Sequence, residues 1–209
     1  MQKEEIAGLL EKLKTELEIR NFSPKTNKSY INSNAKFLEF AKESELNQDL
    51  VKKYIQQEIR RKEPATISHD IFAIQFFFLN VLRKKIYVPR PKKNKTLPEI
   101  LTKEEVKSMM YSTSNIKHKL ILKILYGCGL RVGEIVALKK QDANFNEGLI
   151  HARKAKGRKD RFVKIPDSIK DELEHYCKLD NSDILFPSNR SGKLSTATIQ
   201  AIVKKAGKK

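Results

Sequence analysis

The sequence predicts a mainly α-helical chain with one small β-hairpin, an α+β protein built in two parts. Three observations predict it. Gly and Pro are scarce, 8 and 7 of 209 residues, while Lys, Glu, Leu and Ile abound, which favours helices. Apolar residues recur at steps of three and four through the first 82 positions. Only residues 149–165 change character, to two short, partly alternating runs around a Gly-bearing, cation-loaded turn.

Residues 3–20 place Ile6, Leu9, Leu10, Leu13 and Leu17 at helical spacing. "NFSPKT" then breaks the chain and restarts it, with Ser23 as cap and Pro24 at the first helical position. The second helix turns Tyr30, Ile31, Phe37, Leu38 and Phe40 toward a core. "NQDLVKKYIQQEIRRKEP" reads as a third helix, ended by Pro64. A fourth follows, whose Ile67, Ile71, Ile74, Phe78 and Leu82 form an apolar stripe. Four helices with short connections make a small bundle over residues 1–86.

Residues 87–98 read as a linker. Around them three Pro block helix, and seven cations with no acid lie between 83 and 95. The second part, 99–209, opens at Thr102, followed by Glu104 and Glu105 in a first helical turn. An apolar helix over 116–126 runs into a Gly127/Gly129 turn, and helix resumes over 133–139. Strands Leu149–Ala152 and Arg161–Ile165 form the hairpin. Residues 167–178 form a helix, "ILFPS" a short buried piece, and 195–205 a last helix capped by Ser195.

Charge narrows the partner. Forty-three Lys and Arg against 25 Asp and Glu give +18, carried as +8 before and +10 after residue 95. A folded protein this basic throughout is suited to a polyanion, although solvated lysines that only maintain solubility are the plainer explanation. Two cysteines make no disulfide framework and no Cys/His spacing suits a metal. Cys128, between two glycines, reads as a small residue in a packed turn. No apolar run reaches the ~18 residues needed to span a bilayer, and "MQKEEIAGLL" is not a signal peptide, so a cytoplasmic protein is expected.

Two stretches carry chemistry. "LYGCGLRVGEIVALKKQD" (125–142) holds Arg131 between a Gly-x-Gly turn and a helix. "HARKAKGRKDRFVKIP" (151–166) crowds seven cations between Arg153 and Lys164. A guanidinium fixed in this way matches two oxygens of a phosphate, and Glu134, one turn on, is placed to orient it. Lys156 on the hairpin can reach the same phosphate and donate a proton to a departing oxygen. Spacing alone does not establish this: an isolated Gly-Leu-Arg is a weak signal, and a basic hairpin is more often plain backbone binding.

Read together, the motifs resemble the tyrosine-type site-specific recombinases, the Xer and phage-integrase family, over nearly the whole chain. "NFSPKTNKSYINSNAKFLEFAKE" and "ATISHDIFAIQFFFLNVLRKK" are similar to the helical, SAM-like core-binding domain that clamps DNA. "LPEILTKEEVKSMM" is similar to the entry to the catalytic domain, and "YGCGLRVGEIVALKKQD" to its first catalytic box. The resemblance gives Arg131 the role of the first catalytic arginine, Glu134 that of its acidic support, and Lys156 that of the catalytic lysine. It implies a 3′-phosphotyrosine intermediate, strand exchange through a Holliday junction in a tetrameric synapse, and no metal or nucleotide cofactor. The family continues after "KKAG" into a His-x-x-Arg box and a nucleophilic Tyr, neither of which matches within these 209 residues. Tyr30, Tyr54, Tyr87, Tyr111, Tyr126 and Tyr176 all fall elsewhere in the pattern. The expectation is therefore a truncated catalytic domain that binds double-stranded DNA and self-associates on it. The alternative is a naturally short, non-catalytic DNA-binding homologue. A basic RNA-associated protein ranks below both, since no aromatic-rich RNA-binding sheet is visible. Lys25, Lys28, Arg83, Lys154, Arg158, Lys159 and Arg161 are the cations expected to meet DNA.

Overall fold

The computed structural model describes residues 3–42, 44–92, 97–153, 160–179, 181–189 and 192–208. The chain forms two compact units, Met1–Leu97 and Pro98–Lys209.

Unit 1 contains four helices, α1 (Lys3–Ile19), α2 (Pro24–Phe40), α3 (Gln48–Glu58) and α4 (Pro64–Asn80). Their starts follow from local chemistry. Ser23 Oγ accepts the Thr26 N–H at 3.1 Å and Asn47 Oδ1 accepts the Leu50 N–H at 2.9 Å. Proline opens α2 and α4, where its missing N–H and fixed φ cost nothing. Leu13, Leu17, Phe37, Leu38, Ile67, Ile71, Ile74, Phe77 and Phe78 are fully buried. Each such side chain contributes roughly 1.5–3 kcal/mol by leaving water.

A polar seam runs through this core. Asp70 accepts from Ser33 Oγ and from Lys62 Nζ, both at 2.7 Å, and Asn34 Nδ2 donates to the Ala73 carbonyl at 3.0 Å. Burial works against the Lys62 ammonium, but hydrogen bonds with Asp70 and Glu58 outweigh it and raise the pKa above the ordinary lysine value.

Unit 1 departs from sequence expectation in three places. Phe40 is 39% exposed, at the rim against Tyr54, because Phe37 and Leu38 take the inward directions of that turn. The third helix ends at Glu58, and Pro64 opens α4 instead of closing α3. Residues 86–88, at the mouth of the expected linker, are fastened to the bundle. Val88 is buried in its core and the Tyr87 N–H donates to Gln48 Oε1 at 2.8 Å.

Unit 2 begins with α5 (Lys103–Tyr111), where Thr102 and Glu105 cap each other reciprocally, and α6 (Ile116–Gly127). Next come α7 (Val132–Ala137) and a 3-10 turn (Lys140–Asp142). An antiparallel sheet of β1 (Ala143–Asn144), β2 (Leu149–Ala152) and β3 (Arg161–Lys164) follows, then α8 (Asp167–Cys177) and α9 (Thr196–Ala206). Strand β2 is central. Ile150 faces Ala143 on one side and Val163 on the other, and Ala152 faces Arg161. Ile150, Ile165, Leu185 and Phe186 join Leu120, Ile121, Ile124, Ile135 and Ile199 in the core.

The hairpin is thus part of a three-stranded sheet, and two-residue β1 is too short to announce itself in sequence. Helix α7 stops at Ala137, two residues short of expectation. Leu138 has left the helix to accept the Leu185 N–H at 3.0 Å, and the Lys140 N–H donates to the Asp183 carbonyl at 2.9 Å.

Asp70→Ala leaves Ser33 and Lys62 without their shared buried acceptor. We expect unit 1 to lose ~1–3 kcal/mol, read as a lower urea midpoint; an unchanged midpoint would show that the seam is energetically idle.

Candidate functional site

The site starts from two glycines. Gly129 follows the end of α6 with φ +60°, the left-handed conformation that closes a helix without a Cβ penalty. A Cβ on Gly127 would meet Pro166 Cγ at 3.0 Å, so Gly there lets the end of α6 lie against the chain entering α8. Between these constraints and the first turn of α7 sits Arg131, in extended conformation.

Glu134 is buried, its side chain only 6% exposed, and its carboxylate is the hub. Oε2 accepts the Arg131 N–H at 2.8 Å and Oε1 accepts Arg131 Nη1 at 2.9 Å. From β3, Arg161 adds a two-pronged grip, Nη1 to Oε1 at 2.6 Å and Nη2 to Oε2 at 2.9 Å. Arg161 Nη2 also lies 3.3 Å from the Gly129 carbonyl. Burial would raise the pKa of Glu134. Hydrogen bonds from Arg161 and then from the backbone and side chain of Arg131 prevail and hold it below the ordinary carboxylate range.

Two guanidinium groups share one carboxylate, so a net positive charge remains. Arg131 is the more open of the two, 55% exposed against 32% for Arg161. Among the described residues, the rest of the Arg131 fork has no partner. Such a group is suited to an oxyanion with two accessible oxygens.

A second buried carboxylate sits at the other leg of the hairpin. Asp142 accepts the Lys139 N–H at 3.0 Å and the Nε of Arg153. His151 Nε2 is 3.1 Å from Asp160 Oδ2, and its ring stacks on Phe162 with centroids 4.7 Å apart. Sequence reasoning did not single out Asp142, Arg153 or His151. The partners lie 9 and 11 residues apart and meet only through strand pairing.

Arg131, Glu134 and Arg161 therefore come together in one cluster. Arg161, expected from sequence to meet an external polyanion, has an internal partner. Lys154, Lys156, Arg158 and Lys159 lie outside the described residues. Lys25 and Lys28 are exposed on the first turns of α2 in unit 1. Arg83, also in unit 1, follows α4 with φ +57° and its Nη2 3.3 Å from Glu16 Oε1.

The tyrosines divide by environment. Burial pushes the Tyr54 phenol up to about 12 and raises that of Tyr30, both in unit 1. Tyr176 is half-buried against Phe186, at 5.6 Å between centroids. Tyr87, Tyr111 and Tyr126 are exposed. Cys128 is buried, its thiol pushed up to about 11, which disfavours the reactive thiolate.

Residues 99–209 match the phage integrase family, and residues 9–87 match the phage integrase N-terminal SAM-like domain. Tyrosine recombinase XerA of Pyrococcus furiosus is 34% identical over 212 residues, an alignment covering 96% of this chain and 73% of that protein. XerA of Pyrococcus horikoshii is 45% identical over 124 residues, 57% of this chain and 44% of that protein. The chain thus spans less than half of the second relative's length. Among solved structures, a crystal structure of XerA recombinase matches at 26% identity and TM-score 0.50, covering 97% of this chain and 76% of that one. Lambda integrase (residues 75–356) bound to DNA shares the fold, with TM-score 0.75 at 16% identity and coverage of 97% and 77%.

Because the folded-state pKa of Glu134 lies below its unfolded value of ~4.3, its ion pairs stabilise fully above that pH. The contribution is lost as pH falls through the folded value. A urea-midpoint series from pH 7 to pH 3 should fall more steeply below ~4.3 in the wild type than in Glu134→Gln. Parallel curves would contradict this.

Proposed function

The chain belongs to the phage integrase family of tyrosine recombinases, and from that membership we propose that it binds double-stranded DNA and holds a phosphodiester for strand cleavage and exchange. The observation that carries this reading is Arg131, whose side chain is half-exposed while Glu134 holds its backbone N–H and one Nη of its guanidinium. In the proposed reaction the Arg131 fork binds non-bridging oxygens of the scissile phosphate, stabilising the charge that gathers there. A tyrosine oxygen, having given up its phenolic proton to solvent, attacks phosphorus, the bond to the 5′-oxygen breaks, and Lys156 protonates that leaving oxygen. The phosphodiester energy is kept in the 3′-phosphotyrosine link, so the sequence of bonds needs no external energy source.

None of the six tyrosines is the nucleophile in this reading. Tyr30 and Tyr54 resist ionisation, and Tyr176 packs on Phe186. Tyr87, Tyr111 and Tyr126, though exposed, match no nucleophile position in the family pattern. In this reading unit 1 serves as the DNA clamp and Arg131 as a phosphate-binding residue of the catalytic centre. Lys25 and Lys28 on α2, Arg83, and the hairpin cations Lys154, Arg158 and Lys159 are proposed to lie along the phosphate backbone. Self-association on DNA accompanies this role, and the DNA-bound proteins of similar fold include a lambda integrase tetramer on a Holliday junction.

The deciding assay uses a nicked suicide duplex and denaturing gels. We expect no covalent protein–DNA band from the 209-residue chain, and a band once it is extended with the His-x-x-Arg and Tyr segment of a XerA relative. A band from the chain itself would make one of its tyrosines the nucleophile. Failure of the extended protein, with DNA binding intact, would favour a non-catalytic DNA-binding homologue. Binding itself should be strongly salt-dependent. Neutralising ~6–10 phosphates gives a slope of log affinity against log salt of roughly −5 to −9 and a ~10³–10⁵-fold loss between 50 and 200 mM salt. A slope near zero sinks the clamp. Arg131→Ala should weaken binding less than ~10-fold, while cutting cleavage by the extended protein by ~10²–10³.

A further inference from the structure

We propose that Arg161 is a positioning residue that keeps the Arg131 fork open for a phosphate by occupying Glu134, and is not itself a DNA contact. The inference rests on the DNA-binding reading above and assigns a division of labour within that site.

The argument is one of acceptor capacity. An ionised carboxylate offers about four lone-pair positions. Glu134 fills four with the N–H and Nη1 of Arg131 and with Nη1 and Nη2 of Arg161. Arg161 holds the two-pronged arrangement, which is the stronger geometry for an arginine and a carboxylate. Arg131 is left with a single side-chain bond, to the oxygen that Arg161 Nη1 also occupies. Without Arg161, nothing among the described residues stops the Arg131 fork from swinging onto Glu134 in the same two-pronged way. Its outward donors would then be withdrawn from an incoming phosphate.

Position agrees with this role. Arg161 also grips the Gly129 carbonyl, so it ties β3 to the turn that sets Arg131. It pairs with Ala152 across the sheet, and on the opposite strand Arg153 is tied to buried Asp142. Both arginines at the base of the hairpin thus point to acids inside unit 2. A lysine at 161 would keep the charge but not the fork.

The test is the salt slope of DNA binding by the full chain, measured for wild type, Arg131→Gln, Arg161→Gln, Arg161→Lys and the Arg131→Gln/Arg161→Gln double variant. Each phosphate that is no longer neutralised reduces the slope by ~0.9. A positioning role predicts a reduction of ~0.9 for each single variant, Arg161→Lys included, and no further reduction in the double variant. A folding defect lowers the binding-competent fraction without changing the slope, so misfolding cannot mimic this pattern. A double variant reduced by ~1.8 with Arg161→Lys like wild type would make Arg161 a direct phosphate ligand and overturn the proposal. Unchanged slopes for both Arg161 variants would overturn it as well. A wild-type slope near zero is a different failure: the DNA-binding reading itself falls, and the positioning role with it.

Discussion

The buried carboxylate of Glu134, shared between Arg131 and Arg161, is the interaction on which the rest of the site depends. A lone ionised carboxylate in that position would carry a large desolvation cost. Three hydrogen bonds from two guanidinium groups and one from the Arg131 backbone N–H offset it and leave surplus positive charge on the more exposed arginine. The same group therefore does two things. It locks a helix start to a strand, and it makes a guanidinium available at the surface.

The fold around this hub explains why the partners meet. Gly129 turns the chain out of α6 in a conformation that side chains resist, and Gly127 leaves room for Pro166. Helix α7 is short because Leu138 is already committed to Leu185. The register of β2 with β3 then places Arg161 next to Ala152, on the face that also carries buried Ile150. A one-residue slip of β3 would turn Arg161 to the outer face, where Phe162 and Lys164 now lie.

Much of the candidate site was legible in the sequence, for local reasons. Arg131 and Glu134 are one helical turn apart, and a capping geometry joins residues three positions apart almost automatically. Arg161 was visible only as one cation among seven. Nothing near it in the chain announces an acid partner 27 residues away, and the natural reading is an outward-facing charge. Arg153 and Asp142 were hidden in the same way. Membership of the tyrosine recombinases was also legible, because it rests on motifs that are short and contiguous.

By itself the sequence determined the helices, their starts at Ser23, Thr102 and Ser195, the positions of the two short runs, the pervasive positive charge and the pairing of Arg131 with Glu134. These depend on spacing within one or two turns, where covalent geometry leaves few options. Tertiary structure alone decided that the hairpin gains a third strand, that Phe40 faces the rim, and that Val88 belongs to the bundle. It also decided which arginines are tied to buried acids and which of them keeps part of its fork at the surface. A side chain's partner across many residues is set by strand register and by competition for buried acceptors, and neither is written in any single stretch of the chain.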